Sequence, residues 1–159
     1  MNKKLCKIVS QSAQSNFVKS DIIFDLFGGS GNLSKEITSK QCIVIDSYGE
    51  GMLVDKDGHQ EFIRLNLYSQ KASQFMKDKI NNYSRPSIIL DPPRSGLKNI
   101  DDFFPINSKV KNIIYVSCNP ATLVRDLIKL KHYKLKQVHL VDLFPCTFHY
   151  ETVCILEKN

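Results

Sequence analysis

Apolar residues recur along this chain in two rhythms. Leu5, Ile8, Val9, Ala13 and Phe17 fall near the spacing of one helical face and predict an N-terminal helix. Shorter continuous runs follow. DIIFDLF is one; Cys42-Ile43-Val44-Ile45, ending on Asp46, is the next; Phe62-Ile63-Arg64-Leu65 is a third. Each is too short for a buried helix and rich in Ile, Val or Phe, so each predicts a buried strand. GGSGNLSKEI, after the first run, predicts a glycine-rich turn leading into a helix. Ala72, Phe75, Met76 and Ile80 share one face of a helix predicted from about Ser69 to Tyr83. Ser87 to Leu90 and Asn112 to Val116 predict two more strands. After them, Asn119 is a helix cap and Pro120 suits the first helical position. Leu123, Val124, Leu127 and Ile128 form that helix's predicted buried stripe. The chain closes in two strand-like runs, near Val138 to Leu143 and Thr152 to Leu156, joined by FPCTFHYE.

Strands alternating with helices predict a parallel sheet covered on both faces. The closing pair lacks room for a crossover helix and must form an antiparallel hairpin. The expected fold class is α/β, a doubly wound, mostly parallel sheet with an antiparallel C-terminal hairpin. It forms one domain over residues 1–159. No apolar run approaches the roughly 20 residues that cross a bilayer. The first residues carry no signal-type apolar core. The expectation is a soluble, cytoplasmic protein. Five scattered cysteines without a Cys-x-x-Cys argue against a zinc site, an iron–sulfur site or a secreted disulfide framework. A net charge of +6 suits a polyanionic partner.

The chemistry gathers where strands end. In DLFGGSGN a strand runs into a glycine turn, the usual cradle of a nucleoside or dinucleotide. Gly28, Gly29 and Gly31 permit positive φ and close backbone approach. The next strand ends on Asp46, an acid placed to accept from ribose hydroxyls. No Gly-Lys-Ser/Thr follows, so triphosphate hydrolysis is not expected. In ILDPPRSG, Asp91 closes the fourth strand and two prolines stiffen the exit toward Arg94. That strand neighbours the first at the switch point, so Asp91 is expected to face the glycine loop. Cys118 ends the fifth strand just before a helix N-terminus, whose dipole favours negative charge there.

DLFGGSGN, LDPPRSG, YVSCNPATLVRD and LFPCTFHYET, in this order, resemble the S-adenosylmethionine-dependent RNA 5-methyluridine methyltransferases, over nearly the whole chain as their catalytic domain. The resemblance implies a class I methyltransferase-like fold and transfer of a methyl group to C5 of a uridine in rRNA or tRNA. It implies Cys118 as the nucleophile that adds to C6 and Glu151 as the base that removes the C5 proton. Phe27, Asn32, Asp46 and Asp91, with the glycine turn, become cofactor contacts, and Arg94 holds the target nucleotide or orders its loop. Arg125 is read as structural, pairing with an acid. His132 and His139 are read as surface or sheet residues, and Cys6, Cys42 and Cys154 as core. KLKHYKLK is a solvated face that also suits an RNA backbone.

The family's enzymes carry an RNA-binding barrel before the catalytic domain. The segment after Asp46, SYGEGMLVDKDGHQEF, lacks the helical periodicity that the family has there. A second reading therefore stands beside the first: a non-catalytic or partner-dependent module that binds RNA or protein, with a protein partner supplying RNA grip.

Overall fold

The computed structural model describes residues 3–48, 53–54, 58–98, 100–105, 107–143, 146–147 and 149–159. Parts of the segment after Asp46 and of FPCTFHYE lie outside the described residues.

The N-terminal helix is α1 (Lys3–Asn16). Strands β1 (Ile22–Leu26) and β2 (Cys42–Asp46) follow. A two-residue strand, β3 (Leu53–Val54), precedes β4 (Gln60–Arg64). Next come α2 (Gln70–Asn81), β5 (Pro86–Leu90) and a single-turn α3 (Ile100–Phe103). The chain continues with β6 (Asn112–Ser117), α4 (Pro120–Lys129), β7 (Tyr133–Val141) and β8 (Glu151–Lys158). Residues 42–158 thus supply every strand but β1. No helix of the described residues is long and apolar enough to cross a membrane.

The strands form one sheet in the order β3-β4-β2-β1-β5-β6-β8-β7. From β4 through β6 the pairings are parallel, and β3, β8 and β7 pair antiparallel with their neighbours. This is the doubly wound sheet with its closing hairpin. Strand order reverses between β1 and β5, so their carboxyl ends open a crevice. Alternate residues feed two cores. Ile22, Phe24 and Leu26 of β1 join Met76, Phe103, Tyr115 and Leu123 on one face; Ile23 joins Val9, Phe17, Leu33 and Val153 on the other. Cys6, Cys42 and Cys154 are buried as expected, Cys118 is half-buried and Cys146 exposed.

Three elements depart from expectation. Residues after the glycine turn form consecutive turns rather than a helix, with Lys35 N donating to Gly31 O at 2.9 Å and Ser34 Oγ donating to Asp25 Oδ2 at 2.6 Å, which ties the segment to β1. The α4 stripe is rotated: Leu123 is buried and Leu127 packs on the core, but Val124 and Ile128 are exposed. The cause is Asp126, which is fully buried and turns its own side of the helix inward. The final strands are longer than the apolar runs, so part of KLKHYKLK lies in β7.

Candidate active site

Cys118, Glu151 and Asp91 reach one edge of the sheet because of strand register. In the β6–β8 ladder Ser117 is opposite Thr152, and Cys118 and Glu151 each lie one residue beyond that pair at the same end. In the β5–β6 ladder Leu90 is opposite Tyr115, which brings Asp91 to that edge from the other side. A hydroxyl fixes the bend that carries the cysteine. Asn119 N donates to Ser117 Oγ at 3.1 Å, and Ser117 Oγ donates back to Asn119 O at 3.1 Å. Asn119 Oδ1 then accepts from Ala121 N at 3.1 Å, capping α4, with Pro120 opening the helix. The Ser-Cys-Asn-Pro order is thus a strand end, a presented thiol, a cap and a helix start.

The Asp-Pro-Pro-Arg loop is tied to α4 residue by residue. Arg94 O accepts from Asn119 Nδ2 and Thr122 Oγ1, both at 3.1 Å. Ser95 O accepts from Arg125 Nη2 at 2.9 Å, and Leu97 N donates to Asp126 Oδ2 at 2.8 Å. Asp126 also accepts from Tyr115 Oη at 2.6 Å and from Arg125 Nη2 at 2.6 Å. Arg125 therefore does pair with an acid. Its guanidinium also holds the loop that carries Arg94.

The carboxylates at this edge feel one another. Burial pushes the Asp91 carboxyl up to about 7, and the charges of Asp25 and Glu151 push the same way. Glu151 is also raised by burial, with the Arg94 cation opposing. A raised carboxyl is a stronger base, the property a proton acceptor near neutral pH needs.

On the β1 side, a cleft of about 360 Å³ runs between the ends of β1, β2 and β5, lined among others by Phe27, Asp46, Asn66, Tyr68, Asp91 and Pro92. The Phe27 and Tyr68 rings pack at 5.3 Å, and Tyr68 Oη donates to Gly96 O at 2.8 Å. Asp46 accepts from Gly29 N at 3.0 Å on Oδ2 and from Tyr48 N at 3.0 Å on Oδ1. Positive φ falls on Phe27, Gly29 and Gly31, not on Gly28. The glycines also divide by surroundings. A Cβ on Gly28 would meet Val44 at 2.7 Å and Asp25 at 2.8 Å, and one on Gly31 would meet Gln60 at 2.6 Å, so protein atoms crowd both. A Cβ on Gly29 meets nothing within 4 Å. Asn32 donates to Ser30 Oγ at 2.8 Å, and it is not among the cleft-lining residues.

Sequence reasoning passed over Asp25, Asn66 and Tyr68. Asp25 is fully buried, its Oδ1 has no hydrogen-bond partner, and burial raises its carboxyl to about 6. Its only signal was an acid inside the apolar run DIIFDLF. His139 lies half-buried in β7 opposite Val153, two residues short of the Val141–Glu151 pair, and His132 lies half-buried beside the start of β7 at the far edge.

The family model described as tRNA (Uracil-5-)-methyltransferase matches residues 57–159. This chain belongs to that family. The 23S rRNA (uracil(1939)-C(5))-methyltransferase RlmD of Francisella tularensis subsp. novicida is 34% identical over 99% of this chain and 36% of its own length. RlmD of Legionella pneumophila is 34% identical over 96% of this chain and 36% of its own. The chain thus spans about a third of the length of these relatives. Among solved structures, the Pyrococcus abyssi tRNA (uracil-54, C5)-methyltransferase, in complex with S-adenosyl-L-homocysteine, superposes with a TM-score of 0.62. It is 24% identical, with 96% of this chain and 37% of that one covered. M. capricolum TrmK, with S-adenosyl-homocysteine, gives a TM-score of 0.58 at 17% identity, covering 96% of this chain and 68% of that one. At these identities the likeness speaks to fold, which is that of the uracil-5-methyltransferase family's catalytic part.

Proposed function

We propose that residues 1–159 act as the catalytic domain of an S-adenosylmethionine-dependent RNA uracil C5-methyltransferase whose substrate is a uridine in rRNA or tRNA. The observation that carries this reading is the register that brings Cys118 and Glu151 to one end of adjacent strands, with Asp91 arriving from the next.

The cleft residues fit the cofactor. Asp46 Oδ1 takes Tyr48 N and Ser47 Oγ, while Oδ2 takes Gly29 N and keeps lone-pair capacity for a ribose hydroxyl. Phe27, Tyr68 and Pro92 offer apolar walls to a purine. Asp25, behind Gly28 and ionised above about pH 6, places negative charge at the turn, which favours a cationic ligand. Phe27, Asp46 and Asp91 would hold the cofactor, with Gly28, Gly29, Gly31 and Asn32 shaping the turn beside it.

When bound, the cofactor supplies an electrophilic methyl group carried on a sulfonium. Cys118 Sγ, as the thiolate, bonds to C6 of uracil, and the C5–C6 π pair shifts toward C5 and O4. An unreactive carbon becomes an enolate nucleophile. Once C5 carries its methyl group, Glu151 takes the C5 proton. The freed pair rebuilds the C5–C6 double bond and the C6–S bond breaks, returning the thiolate. Arg94, within electrostatic reach of Glu151, orients the nucleotide or its phosphate. Asp91 orders the edge between cofactor and base.

Two measurements test this. S-adenosylmethionine binding by calorimetry is expected for the wild type and is lost in Asp46→Ala. With the cofactor and RNA containing 5-fluorouridine, whose fluorine does not leave as a proton does, a covalent adduct is expected, absent in Cys118→Ala. Cofactor binding with no adduct on any rRNA or tRNA fragment would favour the second reading, in which a protein partner supplies RNA grip. That reading draws on the chain's spanning about a third of its relatives. No cofactor binding at all would sink the first.

A further inference from the structure

The opposite edge of the sheet, where the parallel strands begin, carries a concentration of positive charge that the reaction does not use. Lys19, Arg85, Lys111 and Lys158 converge there on a pocket of about 340 Å³. Main-chain bonds fix their placement: Asp21 N donates to Arg85 O at 3.2 Å, Lys111 N to Pro86 O at 3.3 Å and Lys158 N to Lys111 O at 2.8 Å. The ordinary explanation for rim lysines is that they satisfy chain-end carbonyls, and some here do so. Lys40 Nζ donates to Val18 O and Ser20 O, Lys109 Nζ to Asn81 O and Lys158 Nζ to Ser108 O. Lys19, Arg85 and Lys111 are exposed, and among the described residues their side chains hold neither carbonyl nor carboxylate.

The acids nearby are already engaged. Asp21 accepts Ser84 N at 2.7 Å and Arg85 N at 3.1 Å, and Glu157 pairs with Lys136 at 2.9 Å. Glu157 also lines the pocket, and Lys158 is lowered by burial and then by the charge of Lys111. Three exposed cations around an open pocket, without buried donors of fixed geometry, suit a phosphodiester backbone rather than an enclosed small molecule.

We infer that this amino-terminal edge is an RNA-phosphate anchor, built by Lys19, Arg85 and Lys111, that grips a strand of the substrate away from the target uridine. Strands of five residues separate the two edges by about 17 Å through the sheet, and an RNA that touches both must pass around the outside of the domain. The inference rests on the proposed function only for its choice of polyanion.

The test is the salt dependence of binding to a fluorescent oligouridylate, read by anisotropy. Two triple variants of equal charge change are compared: Lys19→Gln/Arg85→Gln/Lys111→Gln at the pocket, and Lys7→Gln/Lys35→Gln/Lys71→Gln on other surfaces. Each phosphate contact adds roughly 0.7 to the slope of log K against log salt for a single strand, so the pocket triple is expected to lower the slope by about 2. The control triple is expected to leave it near the wild-type value. Equal slopes in the two triples overturn the anchor. So does binding of inorganic phosphate that the pocket triple abolishes while the oligouridylate slope is unchanged, which assigns the pocket to a free anion. Calorimetry with S-adenosylmethionine on the same proteins separates the two ideas. Cofactor binding survives the pocket triple if the anchor is separate, and a wild type that binds no cofactor yet shows the slope loss sinks the catalytic reading alone.

Discussion

Replacing Asp126 tests whether one buried carboxylate holds the Arg94 loop to the cysteine's helix. Asp126 is fully buried, and its two oxygens do different work. Oδ2 takes both neutral buried donors, Tyr115 Oη at 2.6 Å and Leu97 N at 2.8 Å. Oδ1 takes Arg125 Nε at 2.9 Å and Nη2 at 2.6 Å. Asp126→Ala strands the two neutral donors, at about 1–3 kcal/mol each, or about 2–6 kcal/mol together. The Arg125 side chain is 41% exposed and rehydrates, so its share is discounted to no more than about 1 kcal/mol. The expected loss is about 2–7 kcal/mol. Asp126→Asn, with its carbonyl in the Oδ2 position, keeps both neutral donors but loses the charge pair and turns a buried amide NH2 toward Arg125, about 1–3 kcal/mol in all. Urea unfolding with linear extrapolation measures both, provided m is unchanged. An alanine variant within about 1 kcal/mol of wild type, or an asparagine variant as damaged as the alanine one, refutes this division of labour.

Burial raises Asp91 to about 7 and Asp25 to about 6, so the folded protein binds these protons more tightly than the unfolded chain does. Their contribution to stability is therefore greatest below the unfolded carboxylate range and is lost as pH rises through the folded values. Asp91→Asn is expected to gain stability at about pH 8 and to flatten the fall between about pH 4 and pH 7, and unchanged pH slopes in urea melts would contradict this. Gly31→Ala combines a φ of +73° with a Cβ 2.6 Å from Gln60, while Gly29→Ala carries only the φ strain. The first should destabilise by well over the ~1 kcal/mol expected of the second, and equal thermal midpoints would count against it. Ile128→Lys on the exposed side of α4 is expected to change stability by less than about 0.5 kcal/mol, against 2 kcal/mol or more had the stripe been buried as its spacing implied.

Much of the architecture was legible because its runs are bounded. DIIFDLF stops at glycines, ILDPPRSG at prolines and NIIYVSCNP at a cap, so strand, turn and helix start were written in adjacent letters. The motif residues at the carboxyl edge followed, since strand ends need no side-chain detail to be placed. Buried acids were not legible. A polar residue in an apolar pattern reads as solvent-facing, yet Asp25 lies within β1 and Asp126 within α4, both at zero exposure. Asp126 also misdirected the reading of its helix. Leu123, Asp126, Leu127 and Leu130 form the inward face at helical spacing, and the charge in the middle hid it behind the more obvious Leu-Val and Leu-Ile pairs. The turns after Gly31 were missed for a related reason, since nothing local reveals that Ser34 is bound to Asp25.

Because β8 follows β7 in the chain but lies between β6 and β7, the sheet cannot grow strand by strand in the order of synthesis. As the polypeptide leaves the ribosome, β6 presents its thiol on an open edge, and the carboxylate partner arrives only when a later strand slides in between. The pair is a long-range contact that closes only after the whole of β7 has been made. It is also separable. A change that loosens β8 would part Glu151 from Cys118 while leaving the cleft between β1, β2 and β5 intact, and under the proposed function such a chain would keep its cofactor site and lose its proton acceptor.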